Sequence, residues 1–348
     1  MPMTITAIGA AAALAFFACA PPRGDAPAVA TGTAHANAMG DPRFDAELSA
    51  YVYPFPVRFQ ELRTQNQILK MAYMDVPADQ PNGHVVLLLH GKNFTASYWE
   101  PTIRFLTARG YRVIATDQIG FGKSSKPGAY QYSFQQLAEN TNTLLDGAGV
   151  KQMSVVGHSM GGMLATRFAL MHPERVEKLV LVNPIGLEDW KAVVPYRSID
   201  QWYEQEKKAT ADSVREYQRA SYYDGKWKPE YERLIEVAAG VTRHPDYPKV
   251  AWASALTADM IFTQPVVYEF PLVRVPTLLV IGQRDRTAIG RAWAPKEIAA
   301  KLGDYPALGK KAAAAIPGAK LVEIPGVGHL PQVEAFDVYA SALAEFLP

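Results

Sequence analysis

Cysteine is almost absent from this sequence: Cys19 is the only one in 348 residues. A single cysteine excludes an internal disulfide and a cysteine-rich metal site. The sequence also lacks the H-E-x-x-H pattern of zinc hydrolases, so no metal is indicated. It has no block of basic residues and a net charge of only +1. Neither nucleic acid nor an anionic membrane surface is therefore predicted as a partner.

The apolar run at the N-terminus, residues 5–20, is too short to span a bilayer, and no transmembrane span is predicted. A stretch rich in Pro, Ala, Gly and Thr follows it as far as Gly40. This pattern predicts a secretory signal and a flexible tether in residues 1–40, and a periplasmic or secreted protein. Cleavage after Ala36 and lipid attachment at Cys19 are alternative processing sites. The alternative to a secretory signal is a misassigned start codon upstream of a cytoplasmic protein.

Residues 41–348 alternate between short apolar runs and stretches with the spacing of helices. Continuous apolar runs predict strands that are buried on both faces, as in a parallel sheet flanked by helices. Pro54 and Pro56 restrict an earlier strand-like segment, residues 51–60, to a sheet edge or to an irregular entry into the sheet. The sequence thus predicts an α/β fold with a mostly parallel central sheet. The clearest buried runs are Val85–Leu89, Met153–Val156, Val176–Val182 and Thr277–Ile281.

The run that ends at Val156 leads into Gly157-His158-Ser159-Met160-Gly161, and a helix-compatible stretch follows. A G-x-S-x-G pattern between a strand and a helix predicts a nucleophile elbow, in which a sharp turn exposes the serine hydroxyl. Taken alone, the same pattern also fits a serine that caps a helix. Ser159 is therefore a candidate nucleophile that needs partners elsewhere in the chain.

Two other predicted strands end in residues that complete such a set. Asp285 follows the strand that ends at Ile281, and His329 lies in a glycine-rich loop after the last strand. The carboxyl ends of parallel strands share one edge of a sheet, so these residues should meet Ser159 there. Asp117 is an alternative acid but is better explained as a turn residue. The neighbouring Gly122-Lys-Ser segment lacks the first glycine of a phosphate-binding loop, which argues against nucleotide binding.

The loop after Val85–Leu89 is predicted to complete an oxyanion hole. Its Lys92 N–H, with Asn93 as the alternative, would act together with the Met160 N–H. His90 is expected to order this loop by hydrogen bonding. The Lys92 side chain is expected to point to solvent, although a position beside the oxyanion would favour an anionic substrate.

The alternating pattern breaks between residues 187 and 270, which contain helical stretches rich in Trp and Tyr but no apolar strand. An insertion between core strands predicts a helical cap over the strand ends, where α/β sheets bind ligands. The domains are then 1–40, a core of 41–186, a cap of 187–270 and a second core part of 271–348. The predicted substrate contacts are Asn93, His158, Trp190, Tyr196, Met260 and Phe262.

Together, the His90-Gly91 pair, the elbow, and the loops of Asp285 and His329 resemble the α/β-hydrolase superfamily. The cap position is similar to that of its epoxide hydrolase, dehalogenase and carbon–carbon hydrolase branch. The first two chemistries use an aspartate nucleophile in that branch, which Ser159 argues against. The resemblance implies a Ser159–His329–Asp285 triad that needs no cofactor and acts on a small molecule with an apolar portion.

The function expected from this resemblance is cleavage of a carboxylic ester. A carbon–carbon hydrolase of a dicarbonyl compound is the main alternative. Thioester, lactone and amide substrates, the last as in prolyl aminopeptidases, stay open. A non-catalytic binding protein that has kept the fold belongs to a different functional class, and the complete Ser, Asp and His set argues against it.

Overall fold

The computed structural model describes residues 41–348, and within this range eight strands form one sheet in the order β1-β2-β4-β3-β5-β6-β7-β8. β1 pairs antiparallel with β2, and β2 with β4, whereas all other neighbours are parallel. The predicted mostly parallel α/β sheet is confirmed. The strands are β1 Val57–Thr64, β2 Gln67–Val76, β3 Val85–Leu89, β4 Arg112–Thr116, β5 Met153–His158, β6 Val176–Val182, β7 Thr277–Gly282 and β8 Lys320–Ile324.

The predicted signal segment, the Cys19 attachment site and the cleavage site after Ala36 lie outside the described residues. Within the described range, no helix combines the length and the apolar character needed to cross a bilayer.

The central strands are mostly apolar because both faces of the sheet are covered. In β3, Leu87 and Leu89 belong to one buried cluster, whereas Val86 and Leu88 belong to another. Helices α2, Phe134–Gly147, and α3, Met160–Met171, contribute to the first cluster. Helices α1, Glu100–Thr107, and α11, Phe336–Phe346, contribute to the second. The alternating side chains of the central strands therefore pack against helices on both sides.

The first strand begins later than the sequence predicts. The strand-like segment was expected over residues 51–60, but β1 starts at Val57, after both prolines. Proline has no N–H to donate to a sheet, so the regular pairing begins beyond Pro56. β1 does lie at the edge of the sheet, as expected.

Local capping explains where several helices begin. Ser133 caps α2 by accepting a hydrogen bond from the Gln136 N–H. Ser198 forms a capping box with Gln201 at the start of α4, Ile199–Glu206. Thr210 forms another with Ser213 at the start of α5, Ala211–Tyr222. These boxes satisfy N–H groups that have no partner inside the helix.

The segment between β6 and β7 is helical, as the sequence predicts. It contains α4 Ile199–Glu206, α5 Ala211–Tyr222, α6 Glu232–Thr242 and α7 Tyr247–Thr263. We call these four helices the helical insertion. By its contacts, the insertion belongs to the same compact unit as the rest of residues 41–348. The remaining helices are α8 Lys296–Ala299, α9 Tyr305–Ala315 and α10 Pro331–Glu334, which directly precedes α11.

Candidate active site

Ser159 occupies the turn between β5 and α3 with φ 58° and ψ −121°. A non-glycine residue in this region is strained, typically by about 1–3 kcal/mol. The turn is held by three backbone hydrogen bonds. The Ser159 N–H donates to Val182 O at 3.1 Å, and Ser159 O accepts from the Gly162 N–H at 2.9 Å and from the Ile185 N–H at 3.2 Å. The surrounding strands therefore impose the strained conformation that a nucleophile elbow requires.

Gly161 allows α3 to begin very close to the sheet. A Cβ atom at this position would lie 2.2 Å from the carbonyl oxygen of Leu89 in β3. Any side chain at this position would push the helix away from the strand. The second glycine of the elbow is thus required by the close approach of two backbones.

The structure brings Ser159, His329 and Asp285 into one hydrogen-bonded chain. His329 Nε2 lies 2.9 Å from Ser159 Oγ, and His329 Nδ1 lies 2.6 Å from Asp285 Oδ2. Because the carboxylate only accepts, Nδ1 carries the proton and Nε2 is free to accept the serine hydroxyl proton. All three residues are buried. This is the geometry in which an imidazole can activate a hydroxyl as a nucleophile.

Asp285 is held in its ionised form. Burial alone would raise the pKa of its carboxyl, but the nearby His329 and three hydrogen bonds outweigh that effect and lower the pKa. Besides His329, the donors are Asn183 Nδ2 at 2.7 Å and the Thr287 N–H at 2.8 Å. An ionised Asp285 can then hold the imidazole in one tautomer and stabilise the imidazolium.

Two backbone N–H groups, in the loops of Ser159 and His90, lack a protein partner in the described part of the chain. The N–H groups of Lys92 and Met160 have no acceptor among residues 41–348. The loop of Lys92 is ordered by His90, whose Nε2 accepts from the Gln118 N–H at 3.1 Å and whose Nδ1 lies 2.9 Å from Gly91 O. His90 therefore has the ordering contacts that the sequence predicts, and the Lys92 and Met160 N–H groups stay the predicted donors of an oxyanion hole.

A sequence profile described as alpha/beta hydrolase fold matches residues 84–336. The chain belongs to the α/β hydrolase family. A probable hydrolytic enzyme from Pseudomonas aeruginosa PAO1 has a similar structure, with a TM-score of 0.87 and 55% sequence identity over 88% of this chain and 99% of that one. Both findings identify the chain as an enzyme of the hydrolase class.

Two curated relatives carry more specific names. The 2-hydroxymuconate semialdehyde hydrolase of Pseudomonas putida is 40% identical over 123 residues, which span 35% of this chain and 43% of that protein. A 2-hydroxy-6-oxononadienedioate/2-hydroxy-6-oxononatrienedioate hydrolase of Comamonas testosteroni is 28% identical over 276 residues, 77% of this chain and 89% of that protein. The alignment with the first relative thus covers less than half of its length.

Asn183 is a site residue of this α/β hydrolase that sequence reasoning missed. It directly follows β6 with φ 36°, and its Oδ1 accepts from the Gly282 N–H at 2.7 Å while its Nδ2 reaches Asp285. The available signal was an asparagine at the carboxyl end of a core strand, next to the strand that carries the acid. Asn183 thereby joins the end of β6 to the acid loop.

His158 bonds to two neighbours in the protein. Its Nε2 lies 2.9 Å from His329 O and its Nδ1 lies 3.0 Å from Tyr98 Oη. Burial holds the pKa of His158 well below its usual value, so the ring is neutral. The proton on Nε2 is donated to the His329 carbonyl, and Nδ1 accepts from Tyr98. Both ring nitrogens therefore have protein partners, and the substrate contact of His158 stays a prediction.

The sequence predicts that the Lys92 side chain points to solvent, but in the structure it points into the protein. Its Nζ donates to Ser254 Oγ of α7 at 2.6 Å and lies 3.5 Å from Glu206 Oε1 of α4. Only 17% of the side chain is exposed. The cation is therefore neutralised by the helical insertion and connects the insertion to the candidate oxyanion loop.

Asp117 has the structural role that was predicted. Its carboxylate accepts from Tyr53 Oη at 2.6 Å, the Ala96 N–H at 2.7 Å and the Lys123 N–H at 2.8 Å. These bonds close the loop after β4 and connect it to the segment before β1.

The other residues that the sequence predicts as substrate contacts differ widely in exposure. Trp190, Met260 and Phe262 are at most 4% exposed and belong to the buried core, so they present almost no surface to a substrate in this conformation. Tyr196 is 59% exposed and donates its hydroxyl to Asp259. Asn93 does lie beside the site, and its amide donates to Tyr222 Oη at 2.8 Å. The Asn93 side chain is therefore linked to Tyr222, a neighbour of His329.

Proposed function

We propose that this hydrolase cleaves a carboxylic ester through an acyl-enzyme intermediate formed on Ser159. The observation that carries the proposal is the chain from Ser159 Oγ through His329 to Asp285, with hydrogen bonds of 2.9 and 2.6 Å. It supplies a nucleophile, a base and a group that orients the base in one continuous network. These are the three roles that acyl transfer to serine requires.

The proposed reaction starts when Ser159 Oγ attacks the ester carbonyl and His329 Nε2 takes the hydroxyl proton. The N–H groups of Met160 and Lys92 stabilise the developing oxyanion, an effect that is worth about 3 kcal/mol for one donor. The imidazolium then gives its proton to the leaving alcohol. Water activated by His329 releases the acid and restores the serine hydroxyl. Asp285 stays ionised throughout.

The helical insertion is proposed to act as the cap of a small-molecule site. Support comes from its contacts with the catalytic loops: α5 places Tyr222 against His329, and α4 and α7 hold the Lys92 side chain. The aromatic residues of the insertion suit a substrate with an apolar portion. No metal or cofactor takes part in the proposed steps.

A carbon–carbon hydrolase is the second candidate. It is supported by the similarity to 2-hydroxymuconate semialdehyde hydrolase and to the Comamonas testosteroni hydrolase. The same serine, histidine and aspartate would then act on a carbonyl of a dicarbonyl compound. Thioester, lactone and amide substrates are further alternatives, because each would be attacked by the same Ser159 hydroxyl.

The experiment combines a covalent probe with two substrate classes. We expect a fluorophosphonate to label the purified protein at Ser159, as located by peptide mass spectrometry, and the Ser159→Ala variant to stay unlabelled. A series of p-nitrophenyl esters of increasing acyl length should be hydrolysed. Labelling without ester turnover, together with cleavage of 2-hydroxymuconate semialdehyde, would replace the first function by the second. Absence of labelling in the wild type would contradict both.

A further inference from the structure

Tyr222, the last residue of α5, packs on the imidazole of His329. The ring centroids are 4.7 Å apart and the planes are inclined by only 24°, so the two rings are stacked. Tyr222 is 3% exposed. The hydrogen bonds to Ser159 and Asp285 hold the two nitrogens of His329 but leave its ring faces uncovered. The tyrosine ring covers one face and thereby restricts rotation of the imidazole out of the chain.

The hydroxyl of Tyr222 contacts a second loop of the site. It accepts a hydrogen bond from Asn93 Nδ2 at 2.8 Å. Asn93 directly follows Lys92, whose backbone N–H is a proposed oxyanion donor. We call the loop that contains Lys92 and Asn93 the oxyanion loop. The Tyr222 side chain, which packs on His329, therefore joins α5 to the oxyanion loop.

The backbone of Tyr222 contacts the loops that carry Asp285 and His329. Its carbonyl oxygen accepts from Arg284 Nη1 at 3.4 Å, next to Asp285. A Cβ atom at Gly328, next to His329, would lie 2.1 Å from the same oxygen. The glycine is therefore required by the close approach of Tyr222, so the insertion and the histidine loop fit together at this point.

We propose that Tyr222 is a positioning residue through which the helical insertion holds His329 and the oxyanion loop in their reactive arrangement. The inference rests on the proposed serine hydrolase function. Tyr222 acts through His329 and Asn93, and no contact with the reacting atoms is assigned to it. Its removal should lower the turnover number more than it changes the Michaelis constant, because the fraction of correctly oriented imidazole falls.

The chain offers a matched control in the next residue. Tyr223 is also buried in the insertion, but it stacks on Tyr231, with centroids 3.8 Å apart and planes inclined by 10°. Its hydroxyl has no hydrogen-bond partner among the described residues. Replacing either tyrosine removes a ring of equal size, but only Tyr222 contacts His329.

The test compares Tyr222→Leu, Tyr222→Phe and Tyr223→Leu with the wild type in ester turnover, fluorophosphonate labelling rate and thermal unfolding. We expect Tyr222→Leu to lower kcat and the labelling rate by about tenfold, with KM changed by less than about threefold. Tyr222→Phe keeps the stacked ring but loses the hydrogen bond from Asn93, so its kcat should lie between those of Tyr222→Leu and the wild type. Tyr223→Leu should lower the unfolding temperature as much as Tyr222→Leu does but keep kcat near the wild-type value.

The outcomes separate this role from the function on which it rests. Equal kcat and labelling rates in Tyr222→Leu and Tyr223→Leu would overturn the positioning role while leaving the serine hydrolase function standing. A Phe variant as slow as the Leu variant would also overturn the stacking argument. If wild-type Ser159 is not labelled, the function and the positioning role are both overturned.

Discussion

Asn183 donates a hydrogen bond of 2.7 Å to the same Asp285 oxygen, Oδ2, that accepts from His329 Nδ1. The amide is fixed in this direction because its own oxygen accepts from the Gly282 N–H. One carboxylate oxygen therefore serves both the histidine and the end of β6. The acid is oriented by a neighbouring strand as well as by its own loop.

Replacing Asn183 should impair catalysis. In Asn183→Ala, the Asp285 carboxylate loses one donor and the Gly282 N–H loses its acceptor. A hydrogen bond to a charged group contributes about 1.5–3 kcal/mol, and loss of the lower figure in the transition state lowers kcat by about tenfold. Steady-state turnover of a p-nitrophenyl ester measures the effect. A kcat within twofold of the wild type would show that Asn183 does not orient the acid.

Two substitutions of Ser159 should abolish activity alike but differ in stability, because the backbone at this position is strained. Ser159→Ala and Ser159→Gly should both lose ester turnover by several orders of magnitude, because no nucleophile remains. Glycine accepts positive φ without a Cβ clash, so the Gly variant should be more stable to unfolding than the Ala variant by about 1 kcal/mol. Urea unfolding curves measure the difference. An Ala variant more stable than the Gly variant would contradict the strain argument.

The two buried aspartates should respond differently to the same substitution. Asp285→Asn should reduce kcat by about ten-thousand-fold, because the amide favours the wrong imidazole tautomer. Asp117→Asn should instead reduce stability by about 1–3 kcal/mol, since an amide NH₂ would face one of three donors. Ester turnover and thermal unfolding of both variants separate these effects. A larger loss of kcat in Asp117→Asn would identify Asp117 as the acid.

Lys126 predicts a change in stability at alkaline pH. Burial lowers the pKa of its ammonium from 10.5 to about 8, and its Nζ donates to Gly122 O at 2.7 Å and Ser124 O at 3.1 Å. Between pH 8 and 10.5 the unfolded chain therefore binds more protons than the folded one, so this lysine makes stability rise with pH in that window.

The comparison with Lys126→Met isolates this effect, because methionine retains an apolar side chain but does not titrate. From pH 8 towards 10 the free energy of unfolding of the wild type should gain on the variant by about 1 kcal/mol per pH unit. Urea unfolding at several pH values measures it. A difference between the two proteins that is constant over this range would contradict the lowered pKa.

The predictable part of the site follows from strand order and strand ends. Ser159, Asp285 and His329 each follow an apolar run, and a parallel sheet places all such ends at one edge. The elbow glycines are recognisable for the same local reason, because a strand that turns directly into a helix leaves no room for a Cβ. The bounds of the first strand were less predictable, because the two prolines restrict its start but only pairing with β2 sets its extent, Val57–Thr64.

The amino-acid sequence by itself determined the α/β class, the helical insertion and the three residues that meet at the sheet edge. Their signals are local: apolar runs, glycine turns and the chain order of Ser, Asp and His. Only the tertiary structure decided that Asn183 supports the acid, that His158 is occupied by protein partners, that Lys92 bonds to the insertion and that Tyr222 covers His329. Side-chain directions between elements far apart in the chain depend on how those elements dock, and no local pattern encodes that packing.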